Sequence, residues 1–290
     1  PSLARAFGGQ GYETLFLHAY SDELYGRAHN IPLLGFDEIL YQKDFTVEWT
    51  LVGGYTSDET LVEQLIACFE EKEGPLFCYG LTMENHQPYF TGKFDHPSPV
   101  GVNAQTLTQE ENGMLEALTH GLWDADAALG KLVDYFSTVE EPVILVFLGD
   151  HLPGLSLDGG DTIYARLGWS TTGDTSAWDS QEMKQMHRTD FLVWNNYQAQ
   201  LDVPEQVSCS SLGDLLLDLA GVDKPLYFQW VEQSLDEVFL YRERLFIAGD
   251  GTPYPEPPED CQETVARWEN IVYDMLGGEQ YITGALTQPR

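Results

Sequence analysis

Short apolar runs that do not alternate with polar residues constrain this chain more than any other feature. Residues 14–17, 75–81 and 142–148 are nearly continuous in large apolar side chains, as a strand buried on both faces requires, whereas a strand with one wet face would alternate. Between them lie segments with apolar residues at helical spacing. Ser57-Asp58-Glu59 reads as an N-cap with an acidic first turn, followed by Leu61, Leu65, Ile66 and Phe69. The spacing predicts a long helix over 108–136, with Leu115, Leu118, Leu122, Leu129, Leu132 and Phe136 on one face. A short helix over 2–7 is stopped by Gly8-Gly9, a fourth strand is expected over 189–194, and a helix over 211–220 is stopped by Gly221, with Leu212, Leu215, Leu216 and Leu219 turned inward. Strand and helix alternating in this order imply crossover connections. The expected fold is therefore α/β: a mostly parallel sheet with helices on both faces.

Past about residue 241 the character changes. Pro253, Pro255, Pro257 and Pro258 read as a stiff connector, and Asp260 with Glu263 as a capping-box-like start to a helix carrying Val265, Trp268, Ile271 and Met275. The expected organisation is an α/β domain over 1–240 and a small docked appendage over 241–290.

Charge narrows the function. Among 290 residues, 47 Asp and Glu face 14 Lys and Arg, a net charge of −33. Such a surface repels a polyanion and sets nucleic acid aside as a partner. Phosphate chemistry would need a local pocket of metal, Arg and His to invert the sign. The longest apolar stretch, 143–148 with its neighbours, is far short of the ~18 residues of a membrane-spanning helix. No charged-then-apolar leader precedes Pro1 and no initiator Met is present, so the chain reads as a fragment of something longer. Cys68, Cys78, Cys209 and Cys261 form no CxxC and no zinc spacing, and are expected as free, mostly buried thiols.

In an open parallel sheet ligands sit outside the carboxyl ends of the strands, so the polar residues just past each run are the candidates. His18 follows the first run, Thr82-Met83-Glu84-Asn85-His86-Gln87-Pro88-Tyr89 the second, and Gly149-Asp150-His151-Leu152-Pro153 the third. Asp150 and His151 pair a hard oxygen with an imidazole nitrogen, which suits Mn, Zn or a similar divalent ion, against a plain capped loop. His86 could bind a phosphoryl oxygen or shuttle a proton, or be a loop histidine bonded to backbone. Tyr25 and Arg27 follow the first strand, and the alternative for Arg27 is a surface ion pair. Asp95-His96, among prolines, reads as surface, and His29, His120 and His187 as structural. No glycine pattern cradles a phosphate, and no G-x-S-x-G surrounds Ser210-Ser211.

Taken together, Pro1-Ser2-Leu3-Ala4-Arg5, Gly11-Tyr12-Glu13-Thr14, the stretch 18–27, Leu34-Gly35-Phe36-Asp37, the block 82–89 and the block 149–153 resemble the lipoteichoic acid synthase and phosphoglycerol transferase family, of the sulfatase and alkaline phosphatase superfamily. The resemblance covers about 1–227, and 273–281 looks like the family's ending. It implies a membrane-anchored enzyme whose extracellular domain, at the outer face of the bacterial cytoplasmic membrane, moves a phosphoglycerol unit from a phospholipid donor to a hydroxyl acceptor, a glycerol phosphate chain or a glycan, through a phospho-threonine. It further implies a divalent metal, usually manganese with magnesium or zinc as alternatives, held by Asp150 and His151. His86 would contact the phosphate, His18 and Arg27 would line the phosphoglycerol pocket, and Tyr25 falls where members often carry Trp. The family's nucleophilic Thr and its glutamate ligand lie upstream of the segment that Pro1 begins, so no catalytic nucleophile is expected in this chain, which would be inactive alone. Two other readings stand beside this one: a sulfatase or phosphodiesterase with water as acceptor, and a non-catalytic cell-surface binding module.

Overall fold

The computed structural model describes residues 1–281 and Gly284. The chain opens with α1 (Leu3–Gly8), β1 (Glu13–His18), α2 (Arg27–Leu33), β2 (Glu38–Tyr41), the small hairpin β3 (Leu51–Val52) and β4 (Tyr55–Thr56), α3 (Asp58–Glu71) and β5 (Leu76–Leu81). After a long loop come α4 (Gln109–Phe136), β6 (Ile144–Leu148), α5 (Ile163–Arg166), α6 (Ser180–Met186), β7 (Phe191–Asn195), α7 (Leu212–Ala220) and α8 (Leu226–Ser234). The last part holds β8 (Val238–Arg242), β9 (Leu245–Ala248), β10 (Pro253–Tyr254) and α9 (Gln262–Leu276).

Strands β2, β1 and β5 form a parallel sheet in that order, with His18 level with Tyr41 on one side and Leu81 on the other. Alternation along β5 assigns the covering helices. Cys78 packs with Leu15, Leu17 and Leu61 of α3, while Phe77 stacks on Phe7 of α1 at 4.4 Å, in the cluster that holds Leu217 of α7 and Phe228 of α8. Helices thus cover both faces of a parallel sheet, as the uninterrupted apolar runs require.

The helix starts are the ones written in the sequence. Ser57 accepts from the Thr60 amide, and Thr108 exchanges hydrogen bonds with Glu111 in a capping box that opens the 28 residues of α4. The structure departs from several expectations. The fourth strand, β7, lies antiparallel to β6. The cysteines are free, but only Cys261 is buried; Cys68 and Cys78 are half-buried and Cys209 is exposed. The proline-rich connector is part of an antiparallel sheet β8-β9-β10, in which Pro253 sits on an edge strand where a missing N–H costs no ladder bond. That sheet begins at Val238, so the division drawn after residue 240 falls inside β8. Asp260 and Glu263 form no capping box, since Cys261 occupies the N-cap without a side-chain bond.

Candidate active site

A groove of about 1360 Å³ runs between β5 and β6, and Tyr25, Arg27, His86, Asp150 and His151 all line it. Five of the six residues singled out in the sequence therefore share one cavity. His18 lies behind it, as the last residue of β1 and fully buried.

His18 Nδ1 donates to the Leu81 carbonyl at 3.1 Å, which leaves Nε2 as an acceptor, buried and without a partner. Burial, helped by the positive charge of Arg27 and opposed by the Leu81 carbonyl, lowers its pKa to about 4. The ring is thus neutral at physiological pH. Arg27 has the complementary gap: its Nη1 is buried with no acceptor, and its guanidinium lies over the Tyr25 ring, 5.2 Å from the centroid. Buried polar atoms are rarely left unpaired, so an unpaired acceptor and donor at one rim mark a place for a small polar ligand. Tyr25 itself is 76% exposed, with φ at 56° ahead of Gly26 at 64°. A bulky residue in the left-handed region stores strain of about 1–2 kcal/mol, and here that conformation leaves a ring standing in solvent beside Arg27.

His86 Nδ1 donates to the Gln87 carbonyl at 2.7 Å, an oxygen that Tyr55 Oη also reaches at 2.7 Å. That leaves His86 Nε2 for the groove. His151 is held the same way, Nδ1 donating to the Leu152 carbonyl at 2.8 Å, while its amide donates to Asp150 Oδ1 at 2.9 Å. Asp150 Oδ2 and His151 Nε2 lie 3.6 Å apart and are well exposed. A carboxylate oxygen and an imidazole nitrogen this close, the imidazole's other nitrogen fixed by a carbonyl, fit two positions around one divalent ion.

Several supporting residues carry no signal in the sequence. Lys93 is buried and donates to the backbone carbonyls of Glu84 (3.2 Å) and His86 (2.6 Å). Its ammonium lies over the rings of Tyr89, Phe94 and Tyr55 at 5.0, 5.4 and 5.5 Å. Burial lowers its pKa to about 8, against the pull of Glu84 and Asp58. Glycines let the blocks meet: a Cβ on Gly154 would lie 1.8 Å from Gln87 Oε1, and one on Gly121 of α4 would lie 2.2 Å from Asn85 Oδ1 and 3.0 Å from its Cβ. Gly121→Ala should therefore push out the residue next to His86 and cost about 1–3 kcal/mol through overpacking, read as a drop in Tm.

Beneath the His86 loop lies a cluster of acids. The Asp58 amide donates to Glu84 Oε2 at 2.8 Å and the Glu84 amide to Asp58 Oδ1 at 3.3 Å. Burial raises Asp58 to about 6; Glu84 rises to about 8 by burial and by its neighbours Asp124 and Asp58. Both hold protons in the folded state at a pH where the unfolded chain has lost them. The stability they lend is complete below about pH 4 and is lost as pH rises through about 6 and then 8. Thermal denaturation at pH 5.5 and pH 8.5 should show a fall in Tm that shrinks in Glu84→Gln, whose amide oxygen still accepts from Asp58.

Three other histidines make ring or helix-end contacts. His120 is buried against Phe94 at 4.1 Å, with His96 4.6 Å away, and His187 Nδ1 donates to the Met183 carbonyl at 2.7 Å. Among the described residues one cluster of three carboxylates has a metal-like spacing, Asp214, Asp218 and Glu232, and Lys224 already fills it at 2.6, 2.7 and 3.0 Å.

A parallel sheet covered on both faces, with its polar residues collected where the strands end, defines an open α/β domain with a ligand site at the carboxyl rim. Within that class the chain belongs to the sulfatase family, whose model matches residues 1–222. A putative cyclic beta-1,2-glucan modification protein of Rhizobium meliloti (strain 1021) is 25% identical over 291 residues, spanning 98% of this chain and 44% of that protein. The chain thus spans less than half the length of this curated relative. The Streptococcus pyogenes phosphoglycerol transferase GacH in complex with sn-glycerol-1-phosphate shares the fold with a TM-score of 0.73 at 20% identity, over 97% of this chain and 66% of that one. So do the lipoteichoic acid synthase LtaP of Listeria monocytogenes (TM-score 0.59, 16% identity, 94% and 72% covered) and the C-terminal periplasmic domain of EptC from Escherichia coli in complex with zinc (0.55, 17%, 89% and 74%).

Proposed function

We propose that this chain is the C-terminal part of a membrane-anchored, metal-dependent phosphoglycerol transferase acting at the outer face of the bacterial cytoplasmic membrane. The observation that carries the reading is the pair of unpaired buried atoms, His18 Nε2 and Arg27 Nη1, beside a groove that also takes in His86, Asp150 and His151. A glycerol phosphate has the matching chemistry: phosphoryl oxygens for Arg27 to donate to, and hydroxyl protons for Nε2 of the neutral His18 and Nε2 of His86 to accept. Tyr25 packs against the glycerol carbons. GacH, similar in fold, was solved with sn-glycerol-1-phosphate, which supports the same ligand class here.

Asp150 and His151 would hold a divalent metal, manganese by the family resemblance, with magnesium or zinc also suited to the donor set; when bound it would act as a Lewis acid on a phosphoryl oxygen. The nucleophile is a threonine upstream of Pro1, which takes the phosphoglycerol unit from a phospholipid and passes it to an acceptor hydroxyl, with release of the lipid and then of the enzyme's own hydroxyl. A glycan is the favoured acceptor, because the relative that matches 98% of this chain bears a glucan-modification name. Family membership also accommodates hydrolysis, with water in the acceptor's place; a binding role without chemistry would leave the paired donor set of Asp150 and His151 unused.

Arg27→Ala in the full-length protein tests the pocket. Loss of a charge-assisted contact worth about 1.5–3 kcal/mol should weaken binding of sn-glycerol-1-phosphate by roughly 10- to 100-fold in calorimetry, with Tm unchanged. Undiminished binding would sink the assignment of Arg27 and, with it, the pocket.

A further inference from the structure

We infer that the groove between β5 and β6 is a gap in the sheet, filled in the full-length protein by a β-strand from the segment that precedes Pro1, running parallel to β5. The two strands bordering the gap are aligned at both ends. Just ahead of them, Lys72 Nζ donates to the Glu141 carboxylate at 2.6 Å, and just past them Gly154 gives room to Gln87, which a Cβ would meet at 1.8 Å. They therefore run side by side in one direction. Yet among the described residues β5 is bonded only to β1, and β6 only to β7.

Neither edge is protected. The segments Leu-Phe-Cys-Tyr-Gly-Leu and Ile-Leu-Val-Phe-Leu carry no charge and no proline, in a chain with 47 acidic residues. Open edges of this kind are templates for another strand, and proteins that leave them open blunt them with Lys, Pro or bulges. The walls point the same way. Leu122 and Leu129 of α4 and Leu216 and Leu219 of α7 sit on the faces that their spacing marks as inward, but they line the groove, and Leu122 is 52% exposed. A strand in the gap would give both helices the sheet face they lack, and would bury β5 and β6 on all sides as parallel strands require.

The occupant follows from the chain's own path. Pro1, Ser2 and Leu3 line the groove, so any segment continuing upstream enters there. The relatives have residues to supply it, because 97% of this chain accounts for 66% of the GacH chain and 98% for 44% of the glucan-modification protein. A second copy is a poor fit: its own free edges lie at the bottom of an identical groove and cannot reach into this one. A strand parallel to β5 ends at the carboxyl rim, so the residue just past it lies between His86 and the Asp150-His151 pair. On the transferase reading that residue is the upstream glutamate ligand, but the gap itself does not depend on that reading.

Hydrogen exchange on the full-length protein decides it. Amides of Cys78, Gly80, Val146 and Leu148, which face the gap while their neighbours bond β1 or β7, should exchange at least 100-fold more slowly than loop amides, as slowly as those of β1. In residues 1–290 produced alone, if that piece folds, the same amides should lose that protection, and the piece should be monomeric by light scattering. Loop-like exchange of these gap-facing amides in the full-length protein would overturn the inference, as would protection in the 1–290 piece that grows with concentration as it dimerises. Repeating the exchange in the full-length Asp150→Asn, His151→Gln variant separates the two readings. Protection without turnover keeps the strand whatever becomes of the chemistry, and turnover without protection removes the strand alone.

Discussion

Full-length protein carrying Asp150→Asn and His151→Gln is expected to lose about a thousandfold or more of its transfer rate, with no change in fold. The two side chains offer Oδ2 and Nε2 within 3.6 Å of each other, and both are well exposed. Their remaining hydrogen bonds are local: Asp150 accepts from the next amide and His151 donates to the next carbonyl. Surface substitutions of this kind usually change stability by no more than about 0.5 kcal/mol. A metal acting on a phosphoryl oxygen, in contrast, supplies several kcal/mol of transition-state stabilisation, and about 4 kcal/mol is a factor of roughly a thousand in rate. The variant should also retain less metal after dialysis when metal is counted by mass spectrometry, while its Tm stays put. Normal turnover in this variant would remove Asp150 and His151 from the metal site and leave the domain without an electrophile.

Much of the fold was legible because buried parallel strands leave a strong mark. The runs that became β1, β5 and β6 are continuous in apolar residues, and Ser57 and Thr108 cap the helices they precede. What was illegible depends on partners distant in the chain. Whether β7 runs with or against β6 is set by the connection between them, which passes through α5 and α6 and carries no apolar periodicity that fixes a direction. The segment around Pro253 reads as a connector because proline is rare in strands, and it is a strand only because its position is an edge. In α7 three of the expected inward leucines, Leu212, Leu216 and Leu219, line the groove, and Leu217, which was not expected inward, is the fully buried one. The site divides the same way. Strand exits point to His86, Asp150 and His151, which line the groove, and to His18, which is the last residue of β1 itself. Nothing in the local sequence marks Gly121, Gly154 or Lys93, since each acts on a backbone or side chain brought near by folding.

Lys93 is where that dependence has its largest expected effect on the fold, and Lys93→Met measures it. Among the described residues the ammonium is the one group that joins the carbonyls on either side of Asn85, at Glu84 and His86, while three aromatic rings surround it. Methionine fills a similar volume and keeps the ring contacts apolar, but it leaves two buried carbonyls without their donor. Hydrogen bonds to a charged group contribute about 1.5–3 kcal/mol each, and sparing the ammonium its burial returns part of that, so a net loss of about 2–4 kcal/mol is expected. For a protein of this size that lowers Tm by roughly 5–15 °C. The catalytic effect should be separable from the loss of stability. His86 is aimed by the loop whose carbonyl Lys93 holds, so in the full-length protein the rate with saturating donor should fall by about 10- to 100-fold even at temperatures where the variant is fully folded, the range a displacement of about 1 Å produces. A variant that melts lower but turns over normally when folded would show that Tyr55, which donates to the Gln87 carbonyl at 2.7 Å, suffices to aim His86, and that Lys93 serves the core alone.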